Sequence, residues 1–361
     1  MHSLLFIPDI SGFTQFVTET EIAHSRHIVA ELLELLIDAD TLGLTVAEIE
    51  GDAILFYKYE DVPPVEALFD QAREMFTRFH AHLKQYETRR ICQCGACTTA
   101  HKLTLKIVAH SGPVEFLEVK NFRKPYGSDL ILVHRLLKND IPSSEYLLLT
   151  DQVCGPPNTT PQPNWGEVAR GSNEYRDVGL IPYKYVSLAP LHAEVPEPQP
   201  LAPFALTNNP IVLETTVNRS VDAVYDLAST LAYRTRFNTE VDDFLYEPDR
   251  VNRMGTRHQC IVNGKVLDFE TIAADFGEDV IVYGERPENP PLVADYALFW
   301  LLQEDGPRTH LRLEAHIHPR PGLQHILALP FRVAIKWNMQ RILASFQRVA
   351  EAETDAPLTP A

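Results

Sequence analysis

The chain has 361 residues, enough for two ordinary domains, and its 45% hydrophobic and 22% charged residues suit a globular protein with a sizeable core. Lys and Arg number 32 against 49 Asp and Glu, a net charge of -17, which argues against a nucleic-acid face or an anionic membrane surface as partner because both need positive potential. No stretch approaches the ~20 apolar residues of a membrane span. The opening "MHSLLFIPD" has no basic region and too short an apolar run for a signal peptide. Five cysteines in a chain this long do not read as a disulfide framework. The expectation is a cytoplasmic protein with reduced thiols.

In chain order, a strand is expected over 4–7 and a helix over about 25–39, where Ile28, Leu32, Leu35 and Leu36 recur at helical spacing. A hairpin over 44–57 turns at Glu50-Gly51-Asp52. A helix at about 64–86, a strand at 103–110, a helix at about 128–138 and the strand "EYLLLT" follow. This β-α-β-β-α-β-α-β order predicts a sheet with helices packed on it. The proline-rich "GPPNTTPQPN" (155–164) reads as a surface loop. The denser run over 189–205, with Pro190, Pro196, Pro198, Pro200 and Pro203, reads as an extended linker between domains.

The second half changes character. "IVLETTV" leads into a helix over 221–231, and a series of strands follows. "CIVNGKVLDF" carries the hairpin signal Asn263-Gly264. "HLRLEAHIH" alternates Leu311, Leu313, Ala315 and Ile317 with His310, Arg312, Glu314, His316 and His318, and the charged set predicts a solvated face. A closing helix over about 331–352 carries one apolar stripe of Ile335, Met339, Ile342, Phe346 and Val349.

Two places invite chemistry. In "LLFIPDISGF" and "AEIEGDAILFY" a strand-forming run stops on a carboxylate beside a glycine, at Asp9 and Asp52. Two acids at one sheet edge repel unless a cation lies between them, and Mg²⁺ or Mn²⁺ prefers such oxygen ligands. Backbone N–H groups of a turn such as Ser11-Gly12 hold phosphate. Asp-x-Ser-Gly and Gly-Asp are also ordinary turns, so the metal-free reading stands beside this one. In "RRICQCGACTTAHK", Cys92, Cys94 and Cys97 are within reach of one ion, and His101 or Cys154 completes the four ligands that zinc takes. The alternatives are buried thiols or a redox-sensitive pair.

"FIPDISGFT" and "EIEGDAILFY" resemble the two metal motifs of class III nucleotidyl cyclases. "IVAHSGPV" resembles that family's His-x-Gly-x-Val strand, "YGSDLILVHRLL" its Gly-led catalytic helix and "EYLLLTDQV" the strand after it. The five stand in family order over residues 1–188. The resemblance implies a ferredoxin-like α/β sandwich that works as a head-to-tail homodimer on a purine nucleoside triphosphate. Asp9 and Asp52 match the metal aspartates and Ile10 an extra carbonyl ligand. Ser11, Gly12, Phe13 and Thr14 match the phosphate-facing turn. Glu48, three before Gly51, matches the base-reading position, where a carboxylate favours guanine. Arg135, eight after Gly127, matches the arginine that stabilises the transferring phosphate. The family's asparagine four after Gly127 is Ile131 here, its second base-reading position is Lys124, and its triphosphate lysine has no match, with Arg176 or Lys184 as substitutes.

Residues 206–354 resemble the START/Bet v1-like helix-grip superfamily in layout, an antiparallel sheet around a long C-terminal helix, with 355–361 as a tail. That resemblance implies a cavity for a small apolar ligand, with Tyr296, Leu298, Phe299, Trp300 and Leu301 divided between lining and packing. The whole chain is expected to be α+β. It is read either as a signalling protein that binds, and in the active case cyclises, a nucleotide, or as a non-enzymatic ligand-binding protein whose cyclase-like half is a scaffold.

Overall fold

The computed structural model describes residues 2–20, 22–155, 160–247, 250–262, 264–277, 279–322 and 328–352. Asn263 of the Asn-Gly turn, residues 156–159 of the proline-rich loop and the 355–361 tail lie outside the described residues. The chain divides into two units, Met1–Thr88 with Gln93–Pro198, and Gln199–Ala361 with the short segment Arg89–Cys92. The fold class is α+β.

The first unit runs β1 (Ser3–Ser11), α1 (Phe13–Glu19), α2 (Ile22–Asp38), β2 (Thr45–Glu50), β3 (Ala53–Lys58), α3 (Val65–Thr88), α4 (Gly95–Thr99), a 3-10 turn (Ala100–Lys102), β4 (Thr104–Gly112), β5 (Glu115–Val119), β6 (Phe122–Tyr126), α5 (Ser128–Leu136), β7 (Tyr146–Thr150), α6 (Asp151–Cys154), β8 (Ala169–Tyr175) and β9 (Gly179–Ser187). Its sheet has the order β2-β3-β1-β4-β7-β9-β8, and β5 pairs with β6 as a separate hairpin. The β4–β7 pair is parallel and the other neighbours are antiparallel, so α5 belongs to the crossover that a parallel pair requires. β1 is covered on both faces, which is why its run is nearly continuous in apolar residues. One face of that core gathers Leu5, Ile7, Leu55, Val108 and Leu148 with Val133 and Leu136 of α5.

Two irregularities shape the sheet edge. The β1–β3 pairing is interrupted between Phe6↔Phe56 and Asp9↔Ala53 with its register kept, around Pro8, which has no N–H to donate. β2 is bulged between Val46 and Glu48, which re-aims Glu48. The expected extended linker begins instead as a 3-10 helix (Ala189–Glu194) with buried Leu191. Pro190 sits in its first turn, where the missing N–H costs nothing.

The second unit runs β10 (Ile211–Val217), α7 (Val221–Ser229), a 3-10 turn (Leu231–Tyr233), α8 (Arg234–Phe237), β11 (Asp243–Leu245), β12 (Arg257–Val262), β13 (Lys265–Ile272), β14 (Ile281–Pro287), β15 (Val293–Asp305), β16 (Arg308–Pro319) and α9 (Ala328–Ala352). The strands form an antiparallel sheet, β10-β16-β15-β14-β13-β12-β11. One core is aromatic: Trp300 of β15 meets Phe346 of α9 at 4.9 Å between ring centroids, and Phe237 meets the same ring at 4.9 Å. On β15, Phe299 and Leu301 belong to a second cluster with Phe204.

That second cluster overturns the solvated-face expectation for two of the five β16 residues, Glu314 and His316, while His310, Arg312 and His318 stay partly exposed. Glu314 is 3% exposed and His316 2%. The rings of Phe204, Phe276 and Phe299 lie within 6.5 Å of His316, and Thr207 donates its N–H to His316 Nδ1 at 2.9 Å. Residues before β10 and between β13 and β14 cover the charged face, and strand alternation carries no information about them.

Candidate functional site

Asp9 lies near the end of β1, opposite Ala53 of β3 on one side and Lys106 of β4 on the other. Asp52 is the second residue of the two-residue turn that closes the β2–β3 hairpin, and Glu50 pairs with Ala53 across it. Gly51 takes φ 64 there, a left-handed conformation that suits glycine. The Ile10 N–H donates to the Asp52 carbonyl at 2.9 Å, which ties the turn to β1. Phe13 closes the approach from the other loop, since a Cβ on Gly51 would meet its ring at 3.7 Å. Gly12, at φ 89, caps α1 without a side-chain hydrogen bond.

The two carboxylates are therefore neighbours, and their electrostatics show it. Burial raises the Asp9 carboxyl above its usual range, with Lys106 pulling the other way. Asp52 is raised by burial and then by the charge of Asp9. The Lys106 ammonium stands 3.1 Å from Asp9 Oδ1. Sequence reasoning missed Lys106; its one signal is a lone cation inside the apolar run "LTLKIVAH". Two acids against one ammonium leave a negative charge over. Beside them, Ser11 Oγ is buried without a hydrogen-bond partner among the described residues.

The other expected site residues scatter. Glu48 and Lys124, the two positions expected to read a base, face one another at 3.8 Å. Arg135, on α5, pairs with Asp177 at 3.4 Å. Ile131 is 59% exposed. Thr14 is exposed in the first turn of α1. Lys184 is buried, and its ammonium donates to Thr160 Oγ1 at 2.6 Å and to the Gly155 carbonyl at 3.3 Å, so it is committed to a loop. The His-x-Gly-x-Val stretch has a structural part: buried His110 bonds Thr150 Oγ1 at 2.8 Å and Asp129 Oδ1 at 2.9 Å, fastening α5 to β4. A Cβ on Gly112 would stand 2.3 Å from the Asp129 carboxyl, so only glycine admits that contact.

Among the described residues two groups of metal-ligating atoms lie elsewhere. His24, Cys92, Cys94 and Cys97 bring their ligand atoms within 4.8 Å of one another, as do His80, Glu145 and His192. His101, the histidine expected from spacing, lies in the 3-10 turn outside the first group. The second group had no sequence signal, because its members are dispersed along the chain. Burial pushes Glu145 up, but hydrogen bonds from His80 and His192 hold its carboxyl below the usual range.

The model of a family described as a protein of unknown function (DUF2652) matches residues 29–146, which take in Asp52, the three clustered thiols and Arg135 but neither Asp9 nor His24. An uncharacterized protein of Mycobacterium tuberculosis (strain ATCC 25618 / H37Rv) is 40% identical over 126 residues, 35% of this chain and 58% of that protein, so the match spans little more than half of the relative. Among solved structures, the guanylate cyclase domain of RhGC from Catenaria anguillulae in complex with GTP is similar over 52% of this chain and 96% of its own, at 17% identity and a TM-score of 0.35. A protein of Thermus thermophilus is similar over 40% of this chain and 98% of its own, at 17% identity and a TM-score of 0.31. Among the described residues no helix is long and apolar enough to cross a membrane.

Proposed function

We propose that the first unit binds a purine nucleoside triphosphate together with Mg²⁺ or Mn²⁺ at Asp9 and Asp52. The observation that carries this is the convergence of a buried carboxylate, Asp9, and a half-buried one, Asp52, with one ammonium beside them. Such a pair is under-neutralised, and a hard divalent cation relieves it. Asp9, Asp52 and the Ile10 carbonyl would hold the cation. The buried Ser11 hydroxyl, without a partner, is a donor in wait for a phosphate oxygen. Lys106 is close enough to balance charge on the same phosphates. A bound cation of this kind polarises a phosphoryl group and lowers the pKa of an attacking hydroxyl.

Glu48 accepts guanine N1–H and N2–H best, so guanine is the preferred base. A bound base must part Glu48 from Lys124, an exposed pair worth little on its own. In a head-to-tail homodimer, Arg135 would come from the second chain, which agrees with its exposed place on α5. Exposed Ile49, Tyr126 and Ile131 supply apolar surface for such a partner. When the unit is active, the ribose 3′-hydroxyl gives up its proton to water, its oxygen bonds to the α-phosphorus, the bond from that phosphorus to pyrophosphate breaks and a cyclic nucleotide forms. The second unit, with its antiparallel sheet and long α9, is taken as a helix-grip domain that binds a small apolar ligand and biases the first.

Lys106 and the Glu48–Lys124 pair favour a second reading, in which the first unit is a scaffold and the second does the binding. Product analysis separates them. Wild-type protein is incubated with ATP and GTP in Mn²⁺ beside Asp52→Ala, with a thermal-shift panel of nucleotides and apolar ligands in parallel. A cyclic nucleotide or nucleotide-induced stabilisation that disappears in the variant supports the first reading. Stabilisation by apolar ligands alone would leave the second.

A further inference from the structure

We propose that His24, Cys92, Cys94 and Cys97 form a closed, structural zinc site. Three thiols and one imidazole bring their ligand atoms within 4.8 Å of one another. His24 Nδ1 lies 3.2 Å from Cys94 Sγ and 3.5 Å from Cys97 Sγ. Zn–S bonds of ~2.3 Å and Zn–N bonds of ~2.0 Å in a tetrahedron place ligand atoms roughly 3.5–3.8 Å apart, so these donors need only small shifts to enclose one ion. Cys94 caps α4, and its sulfur accepts the Cys97 N–H at 3.4 Å. A backbone N–H directed at sulfur stabilises a thiolate, the form that binds metal. Cys92 is two peptide bonds from Cys94, so chain connectivity alone keeps it within reach. Cys92 and Cys97 are buried and none of the three thiols is in a disulfide.

The donor set selects the ion. Three soft thiolates with an imidazole suit zinc and reject Mg²⁺, which prefers oxygen. Four protein ligands leave no open position, so the site holds structure rather than substrate. His24 belongs to α2, 70 residues before Cys94, and the ion therefore fastens the α4 turn to α2.

This fastening bears on the nucleotide turn, a consequence that rests on the function proposed above. The α4 segment leads through the 3-10 turn to Leu103, whose Cδ2 would be 3.7 Å from a Cβ on Gly12. The zinc turn thus backs the chain where it leaves Ser11. Losing the ion loosens that backing while Asp9 stays in place on β1 and Asp52 in the β2–β3 turn.

The test is metal analysis of the full chain purified without added metal, with thiol titration and thermal denaturation of the same samples. The expected result is about one zinc per chain, lost in His24→Ala and kept in His24→Cys, which preserves four ligands. His101→Ala keeps its zinc. Less than about one-tenth of an equivalent with Cys92, Cys94 and Cys97 all reactive overturns the proposal, as does full zinc in His24→Ala or loss in His101→Ala. The readout needs no nucleotide. Zinc present with no nucleotide bound leaves this site standing and removes the function above it; nucleotide binding without zinc does the reverse.

Discussion

Glu285 in the second unit is 6% exposed and Asp9 in the first is 8% exposed, yet the two carboxylates sit in opposite fields. Arg234 grips Glu285 with both terminal nitrogens, at 2.6 and 2.8 Å, and Tyr283 adds its hydroxyl at 2.5 Å. Burial alone would raise Glu285, but Arg234 and its neighbours hold the carboxyl below the usual range. Asp9 and Asp52 share one lysine and are both held above it. Equal burial therefore distinguishes nothing; the balance of charge does. A matched pair is finished as it stands and reads as structure. An under-matched pair is a place where binding a cation releases stored repulsion.

The largest effect should come from breaking the matched pair. Arg234→Met leaves Glu285 buried and uncompensated, and should cost ~3–5 kcal/mol in denaturant unfolding of the second unit. A loss below ~1 kcal/mol would mean that Glu285 finds water or a proton easily, and the contrast would collapse.

Next is Gly112→Ala. The new Cβ meets Asp129 at 2.3 Å and forces it off His110. A loss of ~1–3 kcal/mol is expected, read as a lower melting temperature. An unchanged melting temperature would show that α5 shifts freely.

The under-matched pair should respond in the other sense. Asp52→Asn removes one repelling charge, so the cation-free protein should gain up to ~1 kcal/mol while Mn²⁺-induced stabilisation disappears. A less stable variant would place the Asp52 charge among the structural ones.

The smallest effect is on the pH profile. Burial lowers the pKa of His80, His110, His258 and His316. The unfolded chain, with histidines near ~6.5, then binds more protons than the folded one. Their contribution is fully present above that value and drains away as pH falls towards the depressed folded values. Melting temperature should therefore drop from pH 7 to 5, and His110→Asn should shallow the slope. A flat profile over that window would contradict it.

Much of the local structure was legible because its causes are local. The apolar run before Asp9, the Gly51 turn and the α9 stripe each follow from neighbouring residues. What escaped depends on register and on cover. Lys106 meets Asp9 only once β4 is paired with β1 residue for residue. His24 joins the thiols from 70 residues before Cys94, while His101, nearer in sequence, stays outside. Glu314 and His316 alternate like solvent-facing residues yet are buried, His316 beneath Phe204 and Phe276.

The most direct measurement of the central claim is calorimetric titration of GTP with Mn²⁺ into the wild-type protein, Asp52→Ala and a Lys106→Met control. Binding in the wild type that requires Mn²⁺ and is lost in Asp52→Ala is the predicted result. Lys106→Met, with the ammonium gone, should bind GTP more weakly while keeping the Mn²⁺ requirement. Binding that is indifferent to Mn²⁺ and to Asp52, or absent in all three proteins, would contradict a cation–nucleotide site at Asp9 and Asp52.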